Sequence, residues 1–278
     1  MTGRQPAAQQ HFGIALGRRA TLFGVAATFL AVASRPAAAM CPVDRDRRLA
    51  YAMRVSGAHI ADLDLRLRCA GTFAMVEMEV TNRGIAAWVA GRNRTSMTAL
   101  VAFNGDDQPH PARFRASYQK PDRLRETELE FAPDGRLTHL VTRNQGRPQE
   151  SPVPEDLREP SIDPLATFLR LSDWIAGEPE PGEAVAVPVF EGRKRADLET
   201  IYRGRVTLQL GGSSRPAHHL QAAVQGISGF DDSDNFVTLP GEPLDWIDAY
   251  ASDEPTPIPL LITNTSRRLP TRIELVRG

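Results

Sequence analysis

Between Asp62 and Thr81 the chain alternates so regularly that one kind of backbone satisfies it. Leu63, Leu65, Leu67 and Cys69 fall on one side of the alternation, with Asp62, Asp64, Arg66 and Arg68 on the other. A period of two is the repeat of a strand with one face buried and one in water. Ala70-Gly71-Thr72 then supplies a turn, and Ala74, Val76, Met78 and Val80 resume the pattern against Glu77, Glu79 and Thr81. The two runs read as a hairpin. Alternation returns at Ala112, Phe114, Ala116 and Tyr118 against Arg113, Arg115 and Ser117. It recurs at Thr127, Leu129 and Phe131 against Glu128 and Glu130, ahead of the turn at Pro133-Asp134-Gly135. A meander of long antiparallel strands follows, apolar on one face and charged on the other. The acids of the charged face invite a paired-carboxylate active site, at Glu77 with Glu79 or at Glu126, Glu128 and Glu130. With Arg113 and Arg115 on a neighbouring strand, cross-strand ion pairs are the expected use of those acids.

Residues 144–162 are polar and carry Pro148, Pro152, Pro154 and Pro160, which reads as an exposed connection. Asp163 then stands as an N-cap with Pro164 in the first helical position. Leu165, Phe168, Leu169, Leu171, Trp174 and Ile175 form a broad apolar face before Gly177. A helix that apolar needs a cover, and the concave face of the sheet is the natural one. Strands are expected again over residues 185–190, 196–202, 206–210 and 217–224, with a short helix over 243–250. A last hairpin is expected from residues 258–263 and 272–276 around Asn264-Thr265-Ser266. The architecture that results is mainly β: a large curved antiparallel sheet or half-open barrel, in one domain over 40–278, with one internal or packing helix at about 163–177.

The first 39 residues contain Arg4, Arg18, Arg19 and Arg35 but no acid, and an apolar run over residues 20–33 follows the arginine pair. This is the layout of an export signal, and the run is too short to span a bilayer. Ala37-Ala38-Ala39 offers the small residues of a cleavage site, so cleavage is expected after Ala39, with release to the periplasm and no transmembrane segment left behind. Gly17-Arg18-Arg19-Ala20-Thr21-Leu22 suits the twin-arginine route, although Thr21 stands where a bulky residue is usual; the general secretory route fits equally well. A lipid anchor on Cys41 is not expected, because Met40 replaces the small residue that precedes a lipoprotein cysteine. Four of the 33 basic residues leave with the signal, so 29 remain against 34 acids, with no polybasic tract. That balance makes neither nucleic acid nor an anionic membrane an expected electrostatic partner. In an oxidising compartment Cys41 and Cys69 either pair or leave Cys69 free and buried, and both readings stay open.

Several segments carry a family likeness. They are the strand opening at Tyr51, Gly84-Ile85-Ala86-Ala87-Trp88, Arg113-Phe114-Arg115-Ala116, Asp163-Pro164-Leu165 and Pro257-Ile258-Pro259. The most specific is the turn of Phe190, Glu191, Gly192, Arg193 and Arg195 followed by Asp197 and Leu198. Together they resemble the bacterial envelope proteins called domain of unknown function 3108. The resemblance implies an exported, β-rich protein without a catalytic assignment. No cysteine follows Cys69, so a disulfide near that turn is not carried over. By fold analogy alone, the resemblance also points to open half-barrels with an internal helix, whose concave face holds acyl chains.

Motifs for chemistry are weak. His218 and His219, adjacent on a strand, point to opposite faces and do not chelate one ion. Asp231-Asp232-Ser233-Asp234-Asn235, with Glu242 twelfth, imitates a calcium loop, but Phe236 occupies the place of the required glycine. Gly226-Ile227-Ser228-Gly229-Phe230 lacks the last glycine of a nucleophile elbow. Gly211-Gly212-Ser213-Ser214 reads as a hairpin turn, whereas a phosphate site needs a helix start. Glu191, Arg193, Arg195 and Asp197 form either a charged recognition patch or a salt-paired turn.

No catalytic residue, metal site or cofactor is expected. The leading expectation is a periplasmic, non-enzymatic envelope protein that binds an apolar ligand or lipid on the concave face, lined by Leu63, Leu65, Leu67, Val76, Met78, Phe168 and Trp174. A filled core gives the same pattern. The alternative is therefore a structural or scaffolding factor acting through protein partners, with a hydrolase or metal-dependent enzyme ranked third.

Overall fold

Alternation of this length produces 14 strands in one antiparallel sheet. The computed structural model describes residues 41, 46–91, 93–103, 108–230, 237–239, 242–264 and 270–278. The expected signal and its cleavage site, the Asp231–Phe236 loop, and Thr265 with Ser266 lie outside the described residues. The first group of strands comprises β1 (Arg47–Val55), β2 (Ala58–Ala70), β3 (Phe73–Asn82), β4 (Arg94–Phe103), β5 (Pro109–Lys120), β6 (Arg123–Phe131), β7 (Leu137–Asn144) and β8 (Arg147–Gln149). The second comprises β9 (Ala184–Phe190), β10 (Arg195–Leu210), β11 (Ser213–Ser228), β12 (Ile247–Ser252), β13 (Pro259–Asn264) and β14 (Thr271–Arg277). Helix α1 (Gly84–Ala90) joins β3 to β4, and α2 (Pro164–Ala176) separates the two groups. The order runs from β8 down to β1 and then from β14 down to β9, so β1 paired with β14 stitches two meanders into one sheet.

Register brings the apolar positions into rows. Leu67 faces Val76, Val76 faces Ala99, Ala99 faces Phe114 and Phe114 faces Leu129. All of these side chains are fully buried. The small Ala99 between Val76 and Phe114 lets large and small side chains interlock across neighbouring strands. On the outer face Arg115 pairs with Glu128 at 2.6 Å, Arg94 with Glu79 at 2.6 Å, Arg113 with Glu130 and Arg68 with Glu77. Glu77, Glu79, Glu128 and Glu130 are thus in cross-strand ion pairs, as the spacing predicted, whereas Glu126 is in none among the described residues.

Helix α2 begins where expected. Asp163 Oδ1 accepts from the backbone N–H groups of Leu165 and Ala166, each at 2.9 Å, and the helix stops before Gly177. Leu165, Ala166, Leu169 and Ile175 are buried, and the helix packs on β3, β4, β5 and β9. The edge of β9 does not face solvent alone. Ile162 runs parallel to it, donating to Pro188 O and accepting from Phe190 N–H, both at 2.9 Å.

Four details depart from the sequence reading. Residues 243–250 do not form a helix: β12 starts at Ile247, because Ala249 and Tyr250 pair with β11 on one side and β13 on the other. The strands expected at 196–202 and 206–210 are one 16-residue strand, β10, with a bulge at Arg203 that absorbs the interruption. A bulge also displaces Ala112, so that Pro111 takes the buried position opposite Val101. The connection over 144–162 is not exposed throughout. It contains β8 and a short 3-10 turn at Glu155–Leu157, and Val153 and Ser161 are buried.

Candidate functional site

The residues expected to line a concave ligand face are mostly core. Leu65, Leu67 and Val76 belong to the main apolar cluster, and Leu63, Met78 and Phe168 pack against it. Trp174 lies apart, in a second cluster with Ile175, Tyr202, Leu220 and Ala251. The space between α2 and its surroundings at Phe103, Leu169, Ser172 and Thr256 is about 30 Å³. That is room for a water or two, not for an acyl chain.

The turn that carried the family likeness has a clear mechanical job. The Tyr118 hydroxyl donates to the Glu191 carboxylate, and burial together with that neighbouring charge raises the phenol well above its ordinary pKa. Ser151 Oγ donates to Gly192 O at 2.6 Å, and an Arg193 guanidinium N–H donates to Gln149 Oε1 at 2.8 Å. Gly192 has φ +96°, and a Cβ there would collide with Thr127. Phe190 is fully buried. Arg195 donates to Asp197 Oδ1 at 2.7 Å. The turn between β9 and β10 is therefore a latch, tying one free edge region of the sheet to β5, β6 and the end of β8. Between a recognition patch and a salt-paired turn, the contacts of Glu191 and Gly192 point to the turn.

A second polar system lies beside the C-terminal end of α2. His218 Nε2 sits 3.1 Å from Asp253 Oδ1, and its Nδ1 sits 2.9 Å from the Tyr202 hydroxyl. The carboxylate can only accept, so Nε2 carries the proton and Tyr202 donates to Nδ1. Burial holds the His218 pKa below its ordinary value, against the pull of Asp253. Arg205 joins Asp253 at 3.5 Å and Glu178 at 2.6 Å. Trp174 meets the Tyr202 ring edge-on, with centroids 6.4 Å apart. His219 turns the other way, stacking on Tyr250 and pairing with Asp248 at 2.8 Å. Both ring nitrogens of His218 are occupied within the protein. The string braces the end of the helix and presents no nucleophile. Among the described residues no group of three or more His, Cys, Asp or Glu side chains is placed to hold a metal ion. Sequence reading missed Tyr202, Arg205 and Asp253, although a histidine two places before Leu220 in a buried strand was a visible signal.

Asp253 also forms part of the wall of a cleft of about 490 Å³ at the barrel end where β12 passes to β13. Ile258, Leu260 and Leu275 line it together with Arg215, Arg277 and Glu254. Cys41 and Cys69 are joined by a disulfide with Cα atoms 5.8 Å apart, and Cys41 N–H donates to Gly71 O at 3.2 Å. The bridge pins the start of the described chain beside the β2–β3 turn. No described helix is long and apolar enough to cross a membrane.

Comparison with known proteins agrees with the architecture. The crystal structure of a beta-barrel-like protein of domain of unknown function DUF1849 from Brucella abortus is similar over 84% of this chain and 96% of that one, with a TM-score of 0.52 at 10% identity. At that identity the likeness is one of fold alone. No curated protein matches. The model of the family described as "Protein of unknown function (DUF3108)" matches residues 50–276, and the chain belongs to that family.

Proposed function

We propose that the protein is exported and works in the cell envelope as a filled β structure that acts through its surface on a partner rather than by carrying a ligand inside. The packing of α2 carries this reading. The row Leu67, Val76, Ala99, Phe114 and Leu129 is fully buried, and for an acyl chain to reach the interior α2 would have to leave the sheet. That would expose Leu165, Leu169 and Ile175 to water at a cost of roughly 1.5–3 kcal/mol for each. Native mass spectrometry of protein recovered from the periplasm, followed by lipid extraction, tests it. The expected result is a chain beginning at Met40 with no lipid attached. A stoichiometric lipid would overturn the filled-structure reading, and recovery of uncleaved chain in the cytoplasm would overturn export.

A second reading rests on the end cleft, whose lining of Ile258, Leu260 and Leu275 with charges of both signs suits a small amphiphile. Titration with a fluorescent fatty acid separates the two. Saturable binding lost in Leu275→Asp would favour the cleft, and no binding favours the surface-acting scaffold.

A further inference from the structure

Neighbouring strands are all antiparallel, so successive turns fall at alternate ends of the barrel. The β1–β2 turn, α1, the β5–β6 and β7–β8 turns, the β9–β10 latch and the β11–β12 and β13–β14 connections share one end, opposite the cleft. Helix α1 is Gly-Ile-Ala-Ala-Trp-Val-Ala, without a charged or hydrogen-bonding group other than the indole N–H of Trp88. A helix of that composition normally hides its large side chain, yet Trp88 is 87% exposed. The helix is held firmly while it presents that ring. Asn82 Nδ2 donates to Gly91 O at 2.8 Å, Asn82 Oδ1 accepts from Asn93 N–H at 2.7 Å, and Arg83 N–H donates to Ile60 O at 2.6 Å. Gly84, at φ +53°, lies so close to His59 O that a Cβ would stand 2.7 Å from it.

Cations gather on the α1 side of this end. Gly91 abuts Pro121, which places the β5–β6 turn beside α1. Lys120 and Arg123 flank that turn; both are exposed, and neither has an ion-pair partner among the described residues. Arg125 follows inward, where burial and then the neighbouring charges of Arg193 and Arg123 disfavour its positive charge. Asp62 is engaged by Arg83 at 2.7 Å and Glu191 by Tyr118, Asp122 and Glu126 have no ion-pair partner among the described residues, and Glu242 and Asp245 lie on the β11–β12 connection at the same end. The exposed cations without an ion pair are thus local to the β5–β6 turn beside α1, while the end as a whole carries both signs. Tryptophan settles at the boundary between headgroups and acyl chains, and lysine and arginine are drawn to anionic headgroups within a Debye length.

We infer that the α1 side of this end, together with the β5–β6 turn, docks on the surface of an anionic lipid membrane, with Trp88 inserted at the headgroup boundary and Lys120 and Arg123 against the headgroups. The inference rests on the export reading for which membrane is met, and the two fail separately, since fractionation tests export and vesicles test docking. Purified mature protein is sedimented with vesicles of phosphatidylcholine alone or mixed with phosphatidylglycerol. Binding to the mixed vesicles, weakened by salt and absent from phosphatidylcholine, is expected. Trp88→Ser should weaken it at least tenfold with unchanged thermal unfolding, as should Lys120→Glu with Arg123→Glu. Arg215→Glu, at the other end, should leave it intact. No binding to mixed vesicles, or equal binding by Trp88→Ser, overturns the proposal. So does a dimer in sedimentation velocity that Trp88→Ser dissolves, because a second copy would then be what covers the ring.

Discussion

Strands before α2 and strands after it bury their side chains in different ways. In β4, β5 and β6 burial mostly skips alternate residues, and the exposed positions carry Arg113, Arg115 and Glu130 in cross-strand pairs. In β11 and β13 neighbours are buried together: Ala217 with His218, Ala222 with Ala223, Leu260 with Leu261. Adjacent strand residues point to opposite faces, so these later strands are covered on both sides. The His218 side chain, 4% exposed, is satisfied within the protein by Tyr202 and Asp253. One half of the sheet keeps its charges in solvent, and the other runs a string from the buried His218 out through Asp253 to the exposed Arg205 and Glu178.

The largest test of this contrast is the latch that joins the halves. Gly192→Val introduces a Cβ against Thr127 at φ +96°, and should destabilise by about 3 kcal/mol or more in urea unfolding. Gly135→Ala is the control: its φ is +82°, but nothing lies within 4 Å of the added carbon, so only the backbone strain of about 1–2 kcal/mol is expected. Equal losses would mean that the latch does not hold the halves together.

Next in size is the His218 string. Asp253→Ala leaves the His218 Nε2 proton without its acceptor and should cost about 2–3 kcal/mol. Tyr202→Phe should cost about 1–2 kcal/mol. In a double-mutant cycle the two should couple, since both act through one imidazole. Strict additivity would break the string into unrelated contacts.

How far the sequence revealed this molecule follows the same division. Alternation from Leu63 to Val80 and from Phe114 to Phe131 gave the strands, the core positions and the ion pairs, because a half-buried strand writes its faces into its sequence. Asp163-Pro164 gave the start of α2 for an equally local reason. Later strands, covered on both sides, lose alternation. The run at 243–250 then read as a helix, and Arg203 read as a break rather than a bulge. The latch turn was visible as a motif, but its work depends on Tyr118 and Thr127, which lie far away in sequence and carry no mark of the contact. Asp253 was silent for that reason too.

The two ends of α2 should respond to pH in opposite directions, a smaller effect. Burial pushes Asp163 up to about 7, against the pull of its two backbone donors. A carboxyl raised above its unfolded value stabilises most below about pH 4, and that contribution is lost as pH rises towards 7. Asp163→Asn keeps an acceptor for the helix N–H groups and removes the titration. It should therefore gain on the native protein as pH rises over that window. His218 is depressed, so its contribution is present above about pH 6.5 and is lost as pH falls below it. His218→Gln should flatten that acid-side loss. Unfolding curves across both windows read the two slopes, and slopes of the same sign would end the opposition.

The smallest effect belongs to the outer face, where it is the counterpart of the His218 string. Arg115 is 58% exposed and Glu128 23%, so water and salt screen the pair on at least one side. The guanidinium of Arg115 still holds the Glu128 carboxyl below its ordinary pKa, but an exposed partner converts little of that into stability. Arg115→Ala should cost less than about 1 kcal/mol and lose even that in high salt, since Arg113 stands 3.9 Å from the same carboxylate. A loss as large as that of Asp253→Ala would show that the outer ladder holds the sheet together as firmly as its interior does, and the two halves would no longer differ in kind.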